Sequence, residues 1–591
     1  MNSSLSLPPL DPVHFLRTAV DAFDPWISPR GEVLDPVFGE SFQYGTAYYA
    51  YAQAVLAEHE SVETRSARFD QARRSAECAA AHVLDIKLKP NASSMAFPTG
   101  EVYHGNHRDF FWPPLWKIQR LLQREDGPGA QALTDQLTSI DPFVAFNARP
   151  PSNWAAVWLS GEWLRIQSGF SPLSVEDFDA LLDPFFQTHI SLDQGFFHEP
   201  GHPNSYDLFT RYHFLQLQDE GYCGRHLPAL KILLENGLRR SLLVQLSDGS
   251  LATAHRSSGQ TWTLGCQCAY FSLAAKLLAD DQPALVAAAR RAAGLAYHSL
   301  IRWQRPGDVY SPVENVLPAS DRIGYEAYSA DANYSNLALA FLADAISYGF
   351  RAAAPAAELE QSPPQCLLEG DPLFRAVVRA GPYSAHLNGF PEPHYDTVGL
   401  ADVSFGPGRY LHFVSPVTHL VTDERFVPGL ARRRASDRGP LTRPASERSF
   451  PITPPEAFGS AGVRMQMRSV GKVGLHGIEI EVDAENGVRY TETFHGKSHL
   501  TWIIPYLLDC GDGRRTRVDR SQLEEASRIL LHLGDETISI SFKARVSHLL
   551  NLTHGYVSRR GLCGLLRIDL AEPAAEATIV FRRETSQASL A

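Results

Sequence analysis

The sequence lacks a basic excess. Lys and Arg number 54 against 66 Asp and Glu, a formal net charge of -12, whereas a nucleic-acid-binding surface needs clustered positive charge. Nucleic acid is therefore not an expected partner. An anionic small substrate stays open, because a few arginines in a cleft outweigh the global sign locally. Long apolar runs are also missing. None reaches the roughly 18 residues of a membrane span, and residues 1–12 have neither a basic nor an apolar leader segment. The expectation is a cytoplasmic protein with no membrane partner. Cysteine is sparse: seven residues and no CxxC pair, with Cys266 and Cys268 only two apart and no second pair to complete a metal site. Free thiols in a reducing compartment follow from that. There is no GxGxxG after a strand, no GxxxxGK(S/T), no HExxH and no GxSxG. His198 and His202 are four apart, but Pro200 and Gly201 between them break the helix a zinc pair would need. No cofactor and no metal is expected.

What the chain does have is periodicity. With 591 residues it exceeds one hydrophobic core. Apolar residues recur with a period near 3.6 in about twelve stretches: 12–23, 45–59, 68–86, 114–124, 130–140, 153–168, 174–190, 206–220, 229–246, 264–278, 282–303 and 333–348. Twelve helices joined by turns suit six hairpins closed into a ring. Residues 352–364 are rich in Ala, Pro and Glu, and beyond them the period becomes two, as in 409–414, 463–467, 477–482, 537–542 and 577–581. The expected fold is mainly α plus β: an (α/α)6 toroid over 1–350, a linker over 351–371, and an antiparallel β-sandwich over 372–591. The arginine-rich segment 432–448 reads as a lid-like or a plain solvated loop.

Four long Gly/Pro-rich loops carry aromatics and histidines: 97–113, 195–204, 248–262 and 308–331. Long ordered loops in a compact domain are usually functional. The densest runs from Asp193 to Asp207 and on through Arg211 and His213. It places Glu199, His202 and Asn204 just before a helix whose first turn holds Tyr206 and Asp207, a setting suited to acid/base work on a sugar. Ser152-Asn153-Trp154 opens another helix; Trp154 is a candidate stacking platform, while Trp158 and Trp163 read as core. His255, Arg256 and Trp262 belong to a Gly/Ser loop in which Arg256 would clamp a carboxylate by bidentate pairing. His104 with Trp112, and Glu314 with Tyr325 and Glu326, are further substrate-binding candidates.

These residues carry a resemblance. Ser152-Asn153-Trp154, then Gly195-Phe-Phe-His-Glu-Pro-Gly with Tyr206-Asp207, then Asp248-Gly-Ser with His255-Arg256-Ser257 resemble, in order and approximate spacing, three motifs of the group once called domain of unknown function 2264, which overlaps glycoside hydrolase family 154. The family's tyrosine pair is Leu208-Phe209 here, and its Gly before Arg-Ser is His255. The resemblance implies an (α/α)6 toroid with a β-sandwich, exo-action on β-glucuronides and Arg256 as a uronate clamp. More distantly the chain is similar to heparinase- and alginate-lyase-type toroids, which implies Asn153, His202, Tyr206 and Arg256 as neutraliser and base.

Three functions therefore stand at this stage. The first is an exo-acting hydrolase of β-glucuronidase type with Glu199 and Asp207 as its carboxyl pair, since hydrolysis needs two carboxyl groups about the bond. The second is a polysaccharide lyase using Tyr206 or His202 as base. The third is a non-catalytic glycan-binding protein. In each the partner is an acidic oligo- or polysaccharide, and a homo-oligomer is compatible with the sequence.

Overall fold

The computed structural model describes residues 11–42, 44–84, 107–125, 129–146, 148–199, 205–326, 328–352, 364–369, 375–390, 396, 398–406, 410–413, 428–433, 441–442, 456–458, 462–471, 474–508, 515–519, 528–533 and 536–584. Helices come first: α1 (Pro12–Asp21), α2 (Gly45–Ala57), α3 (Val62–Leu84), α4 (Trp112–Glu125), α5 (Gln131–Thr138), the single turn α6 (Pro142–Ala145), α7 (Asn153–Gln167), α8 (Val175–Thr188), α9 (Ser205–Asp219), α10 (Leu227–Val244), α11 (Trp262–Leu277), α12 (Pro283–Ile301) and α13 (Asn336–Ser347).

Two classes of helix alternate along the chain. All thirteen residues of α2 are buried, as are nearly all of α9, α11 and α13; a helix apolar on every side belongs inside. α3, α8 and α12 instead bury one stripe and expose charged residues on the other side. The inner helices α2, α4, α7, α9, α11 and α13 each pack on the next, and α13 packs back on α2, so six helices close a ring. Their ends are set by local chemistry. Ser152 caps α7 through Ala155 N–H, and Ser174 forms a reciprocal capping box with Asp177 at α8.

The strands follow. A five-stranded antiparallel sheet (Gln365–Glu369, Arg375–Ala380, Tyr383–Asn388, Gly399–Ser404, Tyr410–His412) lies beside a much larger sheet whose spine is the 21-residue strand Gly487–Leu507. The two share one apolar core, with Val378, Ala385 and Leu387 meeting Ile478, Ile480 and Tyr490. Helices first and strands second is the expected order; the exception is a short pair, Ile190–Ser191 with Phe196–Phe197, between α8 and α9, and the strands of the C-terminal part begin at Gln365, inside the segment expected to be linker. Ile538, Ile540 and Phe542 are buried while Thr537 and Ser541 are half-buried, the period-two signal, with the small Ser539 buried as well. Residues 434–440 and 443–448 of the expected lid lie outside the described residues, while Gly429–Arg433 pairs with the spine strand. Of the cysteines, Cys266, Cys268 and Cys563 are buried free thiols and Cys223 is exposed.

The five-stranded sheet is fastened to the helical ring by buried polar contacts. Ser247 N–H donates to Ser384 Oγ at 2.9 Å, and Arg375 donates to the Ala252 carbonyl at 2.7 Å.

Candidate active site

The six inner helices run the same way. The last turns of all of them, from Glu58 through Arg124, Ser168, Glu220 and Lys276 to Tyr348, line one cavity of 580 Å³. Their first turns therefore share the opposite mouth. Six positive helix ends are aimed there, the polarity that favours an anion. An aromatic floor lies beneath them, contributed by nearly every inner helix start. Tyr44 stacks on Phe110 at 4.8 Å, Phe110 on Phe209 at 5.9 Å, and Tyr206 on Trp262 at 5.8 Å, while Trp154 meets the edge of Phe110 at 6.1 Å.

Arg256 stands over this floor. It is exposed while His255, Ser257 and Ser258 beside it are buried. Its backbone neighbours His255 and Ser257 both have positive φ, 70° and 67°, a conformation that costs a non-glycine residue of order 1–3 kcal/mol and clusters at functional sites. The Arg256 guanidinium sits 5.1 Å from the Tyr206 ring centre. Tyr206 Oη is 3.0 Å from Ser257 Oγ, and Ser257 Oγ is 2.9 Å from Tyr328 Oη. Glu326 Oε1 accepts the Ser257 N–H at 2.6 Å. A chain of hydroxyls thus runs from Tyr206 through Ser257 to Tyr328, and the Ser257 N–H ties it to the Glu326 carboxyl group.

Glu199 faces the same point. Gly195, at φ 60°, lets its loop pass against the Asn236–Gly237 backbone, where a Cβ would come within 2.1 Å of Gly237 N. The loop then delivers Glu199 to the start of α7. Burial pushes its carboxyl up to about 7, against the opposing pull of Arg256 and of a hydrogen bond from Asn153 N–H. Burial likewise raises Glu326 despite Arg559, Tyr328, Ser257 N–H and Arg256. Among the described residues, Glu199 Oε2, Glu326 Oε2 and Asn153 Nδ2 are buried with no hydrogen-bond partner. Native interiors rarely leave such atoms unmatched unless a ligand or water takes them.

Several sequence candidates do other work. Asp207 receives Arg211 in a bidentate pair at 2.8 Å and Phe197 N–H at 2.8 Å. Burial would raise its carboxyl, and Arg211 outweighs that and holds it low. It is an internal counter-ion rather than an acid or base. Arg211 is fully buried and its remaining donors reach Gly237 O, Tyr270 and Ser241, so it does not meet substrate. Trp112 is core, bonded to Glu162, and Trp262 is floor, bonded to Gln260. Glu314 is buried against Arg560, and Tyr325 against Arg305 and Asp331. His255 is buried, its main chain spoken for. Asn153, Trp154, Glu199, Tyr206, Arg256 and Glu326 are brought together. His104, His202 and Asn204 lie outside the described residues.

The sequence reading missed the far end of the chain. The hairpin of strands Val546–Ser558 and Gly561–Leu570 meets the loops of the helical part at its tip. At its tip Arg559 donates to His255 O at 2.7 Å and forms a bidentate pair with Asp396 at 2.6 Å, while Asp396 accepts His255 N–H at 2.6 Å. Both main-chain groups of the residue before Arg256 are therefore held from the β-rich part. Gly324 at φ 85° gives the tip room, since a Cβ there would lie 2.5 Å from Arg559 O. The available signal was two adjacent arginines at a turn between strands.

No family model matches the chain, and no curated protein matches it. Among solved structures, the chondroitin AC lyase of Streptomyces coelicolor A3, in complex with chondroitin sulphate, aligns over 100% of this chain and 81% of its own, at 12% identity and a TM-score of 0.49. The heparan sulfate lyase HepC of Pedobacter heparinus, in a mutant form, aligns over 91% and 89% at 11% identity and 0.35. The GH76A α-1,6-mannanase of Salegentibacter sp. HEL1_6 aligns over 57% and 99% at 11% identity and 0.37. Likeness at that level assigns no activity.

Proposed function

We propose that the protein is an enzyme that cleaves uronic-acid-containing glycans by β-elimination. The observation that carries this reading is the hydrogen-bonded chain Tyr206–Ser257–Tyr328, tied to Glu326 through the Ser257 N–H and lying beside Arg256. Elimination from a 4-linked uronate needs its carboxylate charge neutralised and its C5 proton removed. Arg256 and the Asn153 amide take the carboxylate. Tyr206 Oη accepts the C5 proton as its own proton passes through Ser257 and Tyr328 to Glu326. The C5 electron pair forms the C4–C5 double bond as the C4–O4 bond breaks. Glu199, protonated up to about pH 7, gives its proton to the departing oxygen. The products are an unsaturated uronate and a glycan fragment with a free hydroxyl. Substrate sugars stack on Trp154, which is half-buried at the mouth.

Hydrolysis of β-glucuronidase type is the second reading, and one observation favours it: Glu199 and Glu326 each keep a buried oxygen without a partner among the described residues. A glycosidase separates the pKa values of its two carboxyl groups, and here burial moves both upward. With Asp207 committed to Arg211, Glu326 is the second carboxyl of a hydrolytic pair. Incubation with uronate oligosaccharides decides between them. The expected outcome is a rise in ultraviolet absorbance from a conjugated, unsaturated uronate. New reducing ends without that absorbance overturn elimination in favour of hydrolysis, and neither signal across an acidic glycan panel leaves a binding protein.

A further inference from the structure

We infer that Glu32, Cys78 and His82 form a zinc site on the outer wall of the ring, between α3 and the loop that joins α1 to α2. Cys78 and His82 are i and i+4 on α3 and so share one helix face. Glu32 comes from the loop between α1 and α2, with its Oε1 3.1 Å from His82 Nε2. One donor atom from each of the three residues lies within 4.8 Å of the other two, and no other such group occurs among the described residues. Thiolate, imidazole and carboxylate together suit Zn²⁺, and bond lengths of roughly 2.0–2.3 Å would draw these donors together with small rotamer changes.

The third donor is held in place before any metal arrives. Gly31 O accepts from Ser75 Oγ of α3 at 2.7 Å, which fastens the loop to the helix. Ser28 Oγ donates to the other Glu32 oxygen at 3.3 Å and accepts Glu32 N–H at 3.0 Å. Support of this kind orients a ligating carboxylate. The competing cation is Arg30, 3.0 Å from Glu32 with its side chain 77% exposed, which can swing into solvent. Three protein ligands leave a fourth position for water or an added ligand. The metal would tie α3 to the loop whose next residues face the mouth: Asp35 accepts Ala332 N–H at 3.1 Å, and Phe38 lies 4.8 Å under Arg322.

The test uses the full chain stripped with chelator and titrated with Co²⁺, then Zn²⁺. One equivalent of Co²⁺ should give thiolate-to-metal charge-transfer bands and the intense visible bands of four-coordinate cobalt, both bleached by Zn²⁺. Cys78→Ser should lose the charge-transfer bands and His82→Ala should weaken binding at least tenfold, while Cys223→Ser, an exposed cysteine elsewhere, should bind normally. Absence of thiolate bands in the wild type, or their persistence in Cys78→Ser, overturns the site. If Cys78→Ser does not fold, Zn²⁺ should slow alkylation of wild-type Cys78, mapped by peptide mass, about tenfold; an unchanged rate overturns it equally.

Discussion

The two mouths of the helical ring are built from the same six helices and are chemically opposite. At the end where the helices finish, every lining cation has its own carboxylate: Lys117 with Asp344 at 2.6 Å, Arg120 with Glu220 at 2.5 Å, Arg124 with Glu58 at 3.2 Å and Lys276 with Asp219 at 2.7 Å. That end holds a 580 Å³ cavity and no surplus charge in it. At the end where the helices begin, Arg256 projects from a loop with two left-handed residues, and buried oxygens of Glu199 and Glu326 lack partners among the described residues. Volume by itself does not mark a site. Strain and unmatched polar atoms point to the mouth where the helices begin, because both cost stability and persist where a ligand gives something back.

Substitutions can break this contrast. Arg256→Ala should have the largest effect on activity, lowering kcat/KM on uronate substrates by about 10³-fold, while Lys276→Ala at the far mouth changes it by less than about twofold; steady-state kinetics on one oligosaccharide compares them. Equal losses would erase the distinction. Tyr206→Phe should lower kcat by about 10²-fold with KM nearly unchanged, since it removes the proton acceptor and leaves the Trp154 and Arg256 contacts. Glu199→Gln should reshape the pH profile. The protonated carboxyl is the working form, so wild-type kcat falls as pH rises through about 7, and the variant should be slower and flat across that range. Glu199 has a folded pKa above the ordinary carboxylate value, so its contribution to stability is fully present below about 4.5 and lost as pH rises through about 7. Chemical denaturation at pH 5 and pH 8 should show that loss in the wild type and not in Glu199→Gln. Arg559→Ala should give a smaller drop in activity, about tenfold, through loss of order around His255.

Asp207→Asn separates stability from chemistry. Leaving Arg211 buried without its counter-ion should cost about 3–5 kcal/mol in urea unfolding, and the folded fraction should keep its pH profile.

The order of helices and strands was legible because inner helices such as α2 and α11 are apolar throughout and the strands alternate. The residues on which the proposed site rests, Asn153, Glu199, Tyr206 and Arg256, all lie in loops or first turns that composition marks out. The division of labour was not legible. Asp207 and Arg211 have the i, i+4 spacing of an internal ion pair, a signal that weighed less than a carboxylate at a helix start. Glu326 could not be told from Glu314, because what separates them is a backbone N–H at Ser257 for one and Arg560 for the other. Arg559 and His255 are 304 residues apart, beyond the reach of any local pattern.

That last contact bears on how such a protein can be cut, fused or recombined. The loop presenting Arg256 is encoded in the helical part, but the groups that hold its conformation, Asp396 and Arg559, are encoded in the β-rich part. A fragment ending near residue 350 would lack both groups and lose their hold on the residue before the arginine. A chimaera that exchanges the β-rich half would need to bring that aspartate and that arginine with it, so the proposed site draws on both parts of the chain.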